Sequence, residues 1–580
     1  MHILTSISDN IKKYYFPFIL ILLVIIFITL LLSSHKKKSL GQKNKTVKQQ
    51  YENRPANRNH PYGGTLVWGT CNKPTIINPI LTSHSISMSL LELIFNRLVR
   101  INSKGHIESD LAKSWELSKD KLTYTFHLRK GVLFHDGIEC TAEDVLFTYQ
   151  QIINPNNHSP FRCNFELVEK LEAPDKYTFK ITLKKPFPAF IYKLVREIVP
   201  AHILKGKDLH TAKFNYHPIG TGPFMFKSWD RTTDTIELTA NPIYFEGRPY
   251  LDKIIIKTYS DTLHLWSGLM RHEIDLAQYL NPRDYRILRN DKSFNTYSVP
   301  WGVYYAIAYN LRDHILSDRN IRRAIAYGIN VQRLIQDLYE GEGIISTGPF
   351  HPESIGFNPN VKIFKYNPVR ARMELMHRGW KDIDGDGIVE KGGEELCINM
   401  LVNAKDTVSK KLAAYIRQYL SGIGIKLKVV LYNDEKQLTD KYLKNHHIQA
   451  WLRLYQGLSD DPDAIAGTWA SEIRRFGKIW CYKNKEVDKL FEQARHMDKN
   501  KCAKIYKKIN NIVYADQAVC FLFYPVGLHA TSSRIANTKN YFCIHMPIYT
   551  IKDWYIKNNG KKSGYSHLIS FILSRSLDKI

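Results

Sequence analysis

The sequence predicts a mixed α/β body built from lobes that exchange chain segments, preceded by one strongly apolar N-terminal segment. Three observations predict it. From Gly63 onward, short β-rich runs alternate with amphipathic helical stretches. No internal repeat, low-complexity tract or clear linker divides that body. The 580 residues, 44% hydrophobic and 24% charged, have ordinary globular composition with room for more than one lobe, which excludes disordered and fibrous classes.

The elements follow in order. GTLVWGT (64–70) reads as a strand, and SMSLLELIFNRLVRI (87–101) carries apolar residues at helical spacing. LTYTFHLR (122–129) and YTFKITL (177–183) alternate with period two, as half-buried strands do. TAEDVLFTYQQI (141–152) opens with Thr141 three residues before Asp144, a pattern that caps a helix N-terminus. IELTA (236–240), DKIIIKTYS (252–260) and IKLKVVLY (425–432) read as strands. NIRRAIAYGI (320–329), VRARMELMHRG (369–379) and KKLAAYIRQYLSGIG (410–424) read as helices.

Residues 16–32, FPFILILLVIIFITLLL, carry no charge. As a helix they span roughly 25 Å, and the flanking Tyr14, Tyr15, Ser33 and Ser34 lengthen the run to a bilayer's width. After a short flank (1–15), segment 16–34 is therefore read as a transmembrane anchor or a signal sequence. No small-residue cleavage site follows it, and Cys71 stands too far downstream for a lipoprotein. Residues 35–61 form a basic, Asn/Gln-rich tether. Lys36, Lys37, Lys38, Lys43, Lys45 and Lys48 outnumber Lys12 and Lys13, a distribution that taken alone would hold the body inside the cell.

The net charge of +27 allows attraction to anionic surfaces but says nothing of fold, and no nucleic-acid partner is expected from it. None of the eight cysteines are spaced as CxxC, so zinc-ribbon and thioredoxin-like centres find no support, and buried free thiols are expected. Enzyme motifs are missing: HExxH, GxSxG, a phosphate loop and a dinucleotide fingerprint do not occur. Ser118 and Lys121 match SxxK without its partner motifs and read as an exposed turn. His446 and His447, being adjacent, diverge and read as surface residues. The chain is expected to bind rather than catalyse.

One acidic loop suggests a metal. Asp382, Asp384 and Asp386 alternate ahead of Gly387, as at the start of a calcium loop, where a hard cation needs converging oxygens around a sharp turn. Position twelve is Gly393 rather than a bidentate acid, so Glu390, or Glu394 and Glu395, would have to complete the set. Structural calcium at Asp382, Asp384, Asp386 and Glu390 is one reading and a solvated turn the other. No cofactor is required.

Three blocks carry a family resemblance: IESDLAKSWELSKDKLTYTFHLRKGVLFHDGIECTAEDVLFTYQQI (107–152), GTGPFMFKSWDRTTDTIELTANPIYFEGRPYLDKIIIKTYSD (220–261) and YNLRDHILSDRNIRRAIAYGINVQRLI (309–335). In this order they resemble the family 5 extracellular solute-binding proteins, the oligopeptide, dipeptide and nickel receptors of ABC importers. The resemblance implies a bilobal periplasmic-binding-protein (Venus-flytrap) fold of the type II, cluster C class. Lobe one would be 63–300 with an inserted subdomain near 85–205, lobe two 301–525, then a return to lobe one over 526–557 and a tail from 558 to 580. It also implies an extracytoplasmic body that closes on a peptide and delivers it to a membrane permease with its ATPase subunits.

The strand matching the family's ligand-facing one suggests Trp301, Gly302, Val303, Tyr304 and Tyr305 as binding residues. The segment WLRLYQGLSDDPDAIAGTW (451–469) matches the family's Asp-Pro-Asp region. Peptide receptors carry an aspartate four positions before that proline to pair with the α-ammonium; here Leu458 stands there, with Asp460 and Asp461 nearby. A buried ammonium without an anionic partner costs several kcal/mol. Either Asp460 takes over that role or the ligand is a sugar, haem, nickel complex or other non-peptide. A membrane-tethered sensor or chaperone-like peptide-interaction protein on the same fold is the other alternative.

Overall fold

The computed structural model describes residues 62–557 apart from 84, 435–436, 439–447, 458–464, 472–481, 496, 498–501 and 544–545. The predicted anchor, tether and C-terminal tail lie outside the described residues, as do Leu458, Asp460, Asp461, His446 and His447. Among the described residues, no helix is long and apolar enough to cross a membrane. The seven described cysteines are all free thiols.

Two large sheets organise the chain. The first has seven strands in the lateral order Phe294–Pro300, Val526–Ser532, Leu276–Ala277, Thr65–Thr70, Lys253–Thr258, Thr235–Ala240 and Phe224–Asp230. The second has six, in the order Ile344–Ile345, Val519–Tyr524, Val303–Tyr309, Ala450–Gln456, Cys397–Asn403 and Lys426–Tyr432. Each sheet buries its apolar residues against helices, which makes the protein bilobal.

A smaller antiparallel sheet joins Ala112–Leu117, Thr123–Leu128, Thr178–Leu183 and Val168–Asp175 in that order. Helix Ala142–Ile153 packs on it, with Tyr149 stacked on Phe179 at 5.6 Å between ring centroids. Its start is the capping box the sequence announces. The Thr141 hydroxyl accepts from the Glu143 N–H, and the Asp144 carboxylate accepts from the Thr141 N–H at 2.8 Å.

In one place the periodicity misleads. The helical pattern of 87–101 continues in sequence, but the helix ends at Ile94 and a strand, Val99–Ile101, follows. The Ile94 carbonyl is taken by the N–H of Gly222 at 2.8 Å, and the Thr221 hydroxyl accepts from the Asn96 N–H. A tertiary contact thus stops the helix where local propensity would let it run.

Strand Val303–Tyr309 shows why the second lobe needs helices on both faces. Tyr305, Ile307 and Tyr309 enter one core while Tyr304, Ala306 and Ala308 enter the other. Alternate side chains of a strand point to opposite faces, so a run buried throughout requires cover on both.

Candidate functional site at the hinge floor

Two strands cross between the lobes side by side. Phe294–Pro300 pairs antiparallel with Val526–Ser532, with Pro300 opposite Val526 and Tyr297 opposite His529. Just beyond, Val303–Tyr309 pairs antiparallel with Val519–Tyr524 in the other sheet. Pro300 and Pro525 stand at the junction, and proline cannot donate to a ladder, so the pairing thins there to the Trp301 N–H on the Pro525 carbonyl at 2.9 Å. This is the floor on which the lobes meet. The next contact outward is the Gly457 N–H on the Gly302 carbonyl at 2.8 Å.

The residues singled out from sequence divide here. Trp301, Gly302 and Val303 are half-buried at the junction. Tyr304 is 0% exposed, packed against Tyr455, Phe521 and Tyr524, and Tyr305 is 3% exposed, against Phe523 and Tyr339. Burial pushes both phenols well above their ordinary range. These two tyrosines therefore support the walls of the second lobe, and the exposed edge of the junction belongs to their three neighbours. Leu458, Asp460 and Asp461 lie outside the described residues, just after Gly457.

Sequence reasoning missed the other half of the floor. His529 lies on strand Val526–Ser532, every residue of which is buried, and is itself 0% exposed with neither ring nitrogen hydrogen-bonded. Its ring meets Tyr279 at 5.2 Å and Phe542 at 5.4 Å, and Phe542 stacks on Tyr297 at 3.8 Å. Tyr279 also meets Trp301 edge-on at 6.1 Å. The one available signal was a single histidine in the otherwise uncharged run VGLHATS (526–532).

A pH dependence follows. Burial pushes the His529 imidazole down to about 3, and the His135 ring, between the backbone of Gly220 and Gly222, down to about 4. Unfolded, both titrate near 6.5. Their stabilisation is complete above that value and is lost as pH falls from about 6.5 toward those depressed values, at roughly 1.4 kcal/mol per pH unit for each group. Asp110, whose carboxyl burial pushes up to about 6, works the other way. Its contribution is whole below its unfolded value of 3.8 and fades as pH rises through 6. Burial raises the carboxyls of Glu92, Asp144 and Asp284 in the same sense as that of Asp110, so the histidine share is read by difference. Between pH 7 and pH 5 the urea midpoint of wild type should lose ground against that of His529→Phe, and a constant gap would show that another group titrates.

The acidic loop is separate from the hinge. Oxygens of Asp382, Asp384 and Glu390 lie within 4.8 Å of one another, on exposed or half-buried side chains. Backbone N–H groups of Gly385 and Gly387 reach Asp382, those of Ile383 and Asp384 reach Glu390, and that of Asp386 reaches Asp384. Asp386 stands outside this group and accepts from the Ile388 N–H at 2.7 Å.

Comparison with known proteins agrees with this architecture. Residues 106–475 match the model of the bacterial extracellular solute-binding proteins, family 5, middle region. The oligopeptide-binding protein AppA of Bacillus subtilis is 28% identical over 507 residues, covering 85% of this chain and 92% of AppA. Its structure in complex with a nonapeptide superposes with a TM-score of 0.67 over 86% of this chain and 100% of that one, at 27% identity. The heme-binding protein A of Haemophilus influenzae is 28% identical over 502 residues, covering 81% of this chain and 89% of its own. NikZ of Campylobacter jejuni, solved in complex with Ni(L-His), has a TM-score of 0.67 at 28% identity over 85% of this chain and 99% of its own.

Proposed function

The chain belongs to the bacterial extracellular solute-binding proteins of family 5, and from that premise we propose that it is the receptor of an ABC importer that takes oligopeptides or dipeptides between its lobes and delivers them to a membrane permease. The observation that supports this best is the hinge floor. Two crossing strands joined at Pro300 and Pro525 would let the lobes rotate, and the half-buried Trp301, Gly302 and Val303 stand at that joint. AppA, named for oligopeptides, matches nearly its whole length. Lobe one would comprise 63–300 and 526–557, with the subdomain near 85–205 inserted in it, and lobe two 301–525.

Segment 16–34 would hold the body at the outer face of the inner membrane, with 35–61 as tether. Tyr62, the first described residue, stacks on Tyr250 at 5.0 Å, so that tether would join the first lobe. The test of the function is mass spectrometry of compounds released when the full chain, purified in mild detergent, is denatured. A ladder of short peptides is the expected result, and one defined non-peptide species would overturn the peptide class.

Leu458 favours a second reading. A receptor that lacks the acidic partner of an α-ammonium would suit a ligand without one, such as haem or a metal chelate of the kinds named for the relatives.

The loop of Asp382, Asp384 and Glu390 has the donor chemistry of a calcium staple, since its carboxylate oxygens keep free lone pairs after accepting backbone N–H groups. Calcium should raise the melting temperature of the wild-type chain and leave an Asp382→Asn/Glu390→Gln variant unmoved. Equal melting with calcium and with chelator would remove the metal.

A further inference from the structure

We propose that His529 and Trp301, covered by the ring of Tyr279, form the anchor that holds an acceptor oxygen of the bound ligand, a peptide carbonyl or carboxylate. This rests on the receptor reading above and names the groups at the hinge that would recognise the ligand.

The first observation is an imbalance of hydrogen bonds. Both ring nitrogens of His529 and the indole nitrogen of Trp301 are buried without a partner among the described residues. An unmade hydrogen bond at a buried polar atom costs about 1–3 kcal/mol. The indoles of Trp68, Trp229, Trp266 and Trp554 share that condition, and adjacency sets the hinge pair apart. Here three nitrogens occur on two neighbouring side chains. A structural role alone would be served better by phenylalanine at 529, because the ring already sits among Tyr279, Phe542 and Tyr297.

The second observation is convergence. A Cβ built on Gly527 would lie 2.6 Å from His529 Nε2 and 2.9 Å from Trp301 Nε1. Both nitrogens therefore close on the same face of the glycine, and any larger residue at 527 would collide with them. An indole N–H only donates, and a neutral imidazole offers one donor and one acceptor. With its proton on Nε2, the imidazole sets a second neutral donor beside the indole N–H, an arrangement that fits an oxygen that accepts. Among the described residues, the rings around the pair are those of Tyr279, Tyr297 and Phe542, none of them a carboxylate.

The third observation is the cover. Tyr279 adopts φ of +58°, a left-handed conformation that costs a bulky residue about 1–2 kcal/mol. It is held there between the Gln278 side chain, which donates to Tyr541 Oη at 2.7 Å, and the Leu280 N–H, which donates to the Leu528 carbonyl at 2.8 Å. The strained residue sets its ring edge-on to both Trp301 and His529 while staying 40% exposed. A ligand entering along the hinge meets Tyr279 first, and a turn of that ring opens the two donors beneath it.

The test titrates trialanine, tetra-alanine and penta-alanine, each as free acid and as C-terminal amide, into the full detergent-purified chain by calorimetry. Wild type is compared with His529→Phe and Trp301→Phe. Each variant should lose tenfold or more in affinity, while the ligand-free melting temperature of His529→Phe equals or exceeds that of wild type, because an unpaired polar ring is gone. Trp301, being half-buried, keeps the test open should the histidine variant fold poorly. Affinities within twofold of wild type in both variants would overturn the anchor and leave the receptor reading intact. Affinity that falls only in step with melting temperature would assign both side chains to structure and overturn it as well. A wild-type chain that binds none of the six probes would overturn the peptide reading and the anchor together.

Discussion

Replacing Gly222 by valine should leave the chain unable to fold its first lobe. Gly220 and Gly222 pass directly under the end of helix Ser85–Ile94. A Cβ at 222 would stand 2.5 Å from the Ile94 carbonyl carbon and 2.6 Å from the Leu93 oxygen; at 220 it would stand 2.1 Å from the Ile94 oxygen. These are backbone atoms, which cannot swing aside as a side chain can. The strap is also tied down on its other side: the Gly220 carbonyl accepts from the His135 N–H at 2.8 Å, and the Gly222 carbonyl accepts from the Asn241 side chain at 3.0 Å. Overpacking in cores that can relax costs about 1–3 kcal/mol, and this site cannot relax, so a loss of 3 kcal/mol or more is expected for Gly222→Ala and more for valine. Gly422→Ala is the control, because its φ is −63° and its nearest neighbour would lie 3.4 Å away; it should change stability by no more than about 0.5 kcal/mol. Thermal melting and soluble yield decide between them, and a Gly222→Ala chain that melts with wild type would refute the clash.

Arg322→Ala should be nearly as damaging in the second lobe. The side chain is 6% exposed and donates to four backbone carbonyls: Gln517 at 2.9 Å, Leu316 at 2.8 Å, Ser317 at 2.8 Å and Asp516 at 2.9 Å. Two of these acceptors end helix Ala503–Asp516, whose last carbonyls have no partner within the helix. One guanidinium thus clips helix Arg319–Gly328 to the segment that leads into strand Val519–Tyr524 and onward to the hinge. Its truncation strands buried acceptors, for a loss of about 3 kcal/mol or more. Lysine should not rescue it, since a compact ammonium cannot reach acceptors that a planar fork spans. Arg333→Ala, which removes an exposed pair with Asp337, should leave the urea midpoint close to that of wild type. Urea unfolding of the three variants measures this, and equal midpoints for Arg322→Ala and Arg333→Ala would dismiss the clip.

Both sites were visible as letters before they were visible as contacts. GTGPF (220–224) and NIRRAIAYGI (320–329) stand in the blocks that carry the family resemblance, yet nothing in their spacing says which glycine lies against a helix end or which arginine is buried. Arg322 and Arg323 are adjacent, and only packing distinguishes the one that is 6% exposed. The hinge floor was half legible for the same reason. Trp301, Gly302 and Val303 came from a matching strand, whereas Tyr279 reaches that floor from an earlier loop and His529 from a strand far along the chain.

What the sequence by itself determined are features that depend on near neighbours and on repeating pattern. Period two placed the strands, the Thr141–Asp144 pair placed a helix start, and the order of three blocks named the family. Only the tertiary structure decided where helix Ser85–Ile94 stops, that Tyr304 and Tyr305 belong to opposite cores, and that His529 and Trp301 close on one face of Gly527. The physical reason is range. Hydrogen-bond satisfaction along a helix or strand is settled within a few residues, while burial of a polar ring and close approach of two backbones depend on chain segments hundreds of positions apart, and no local pattern records which segments those will be.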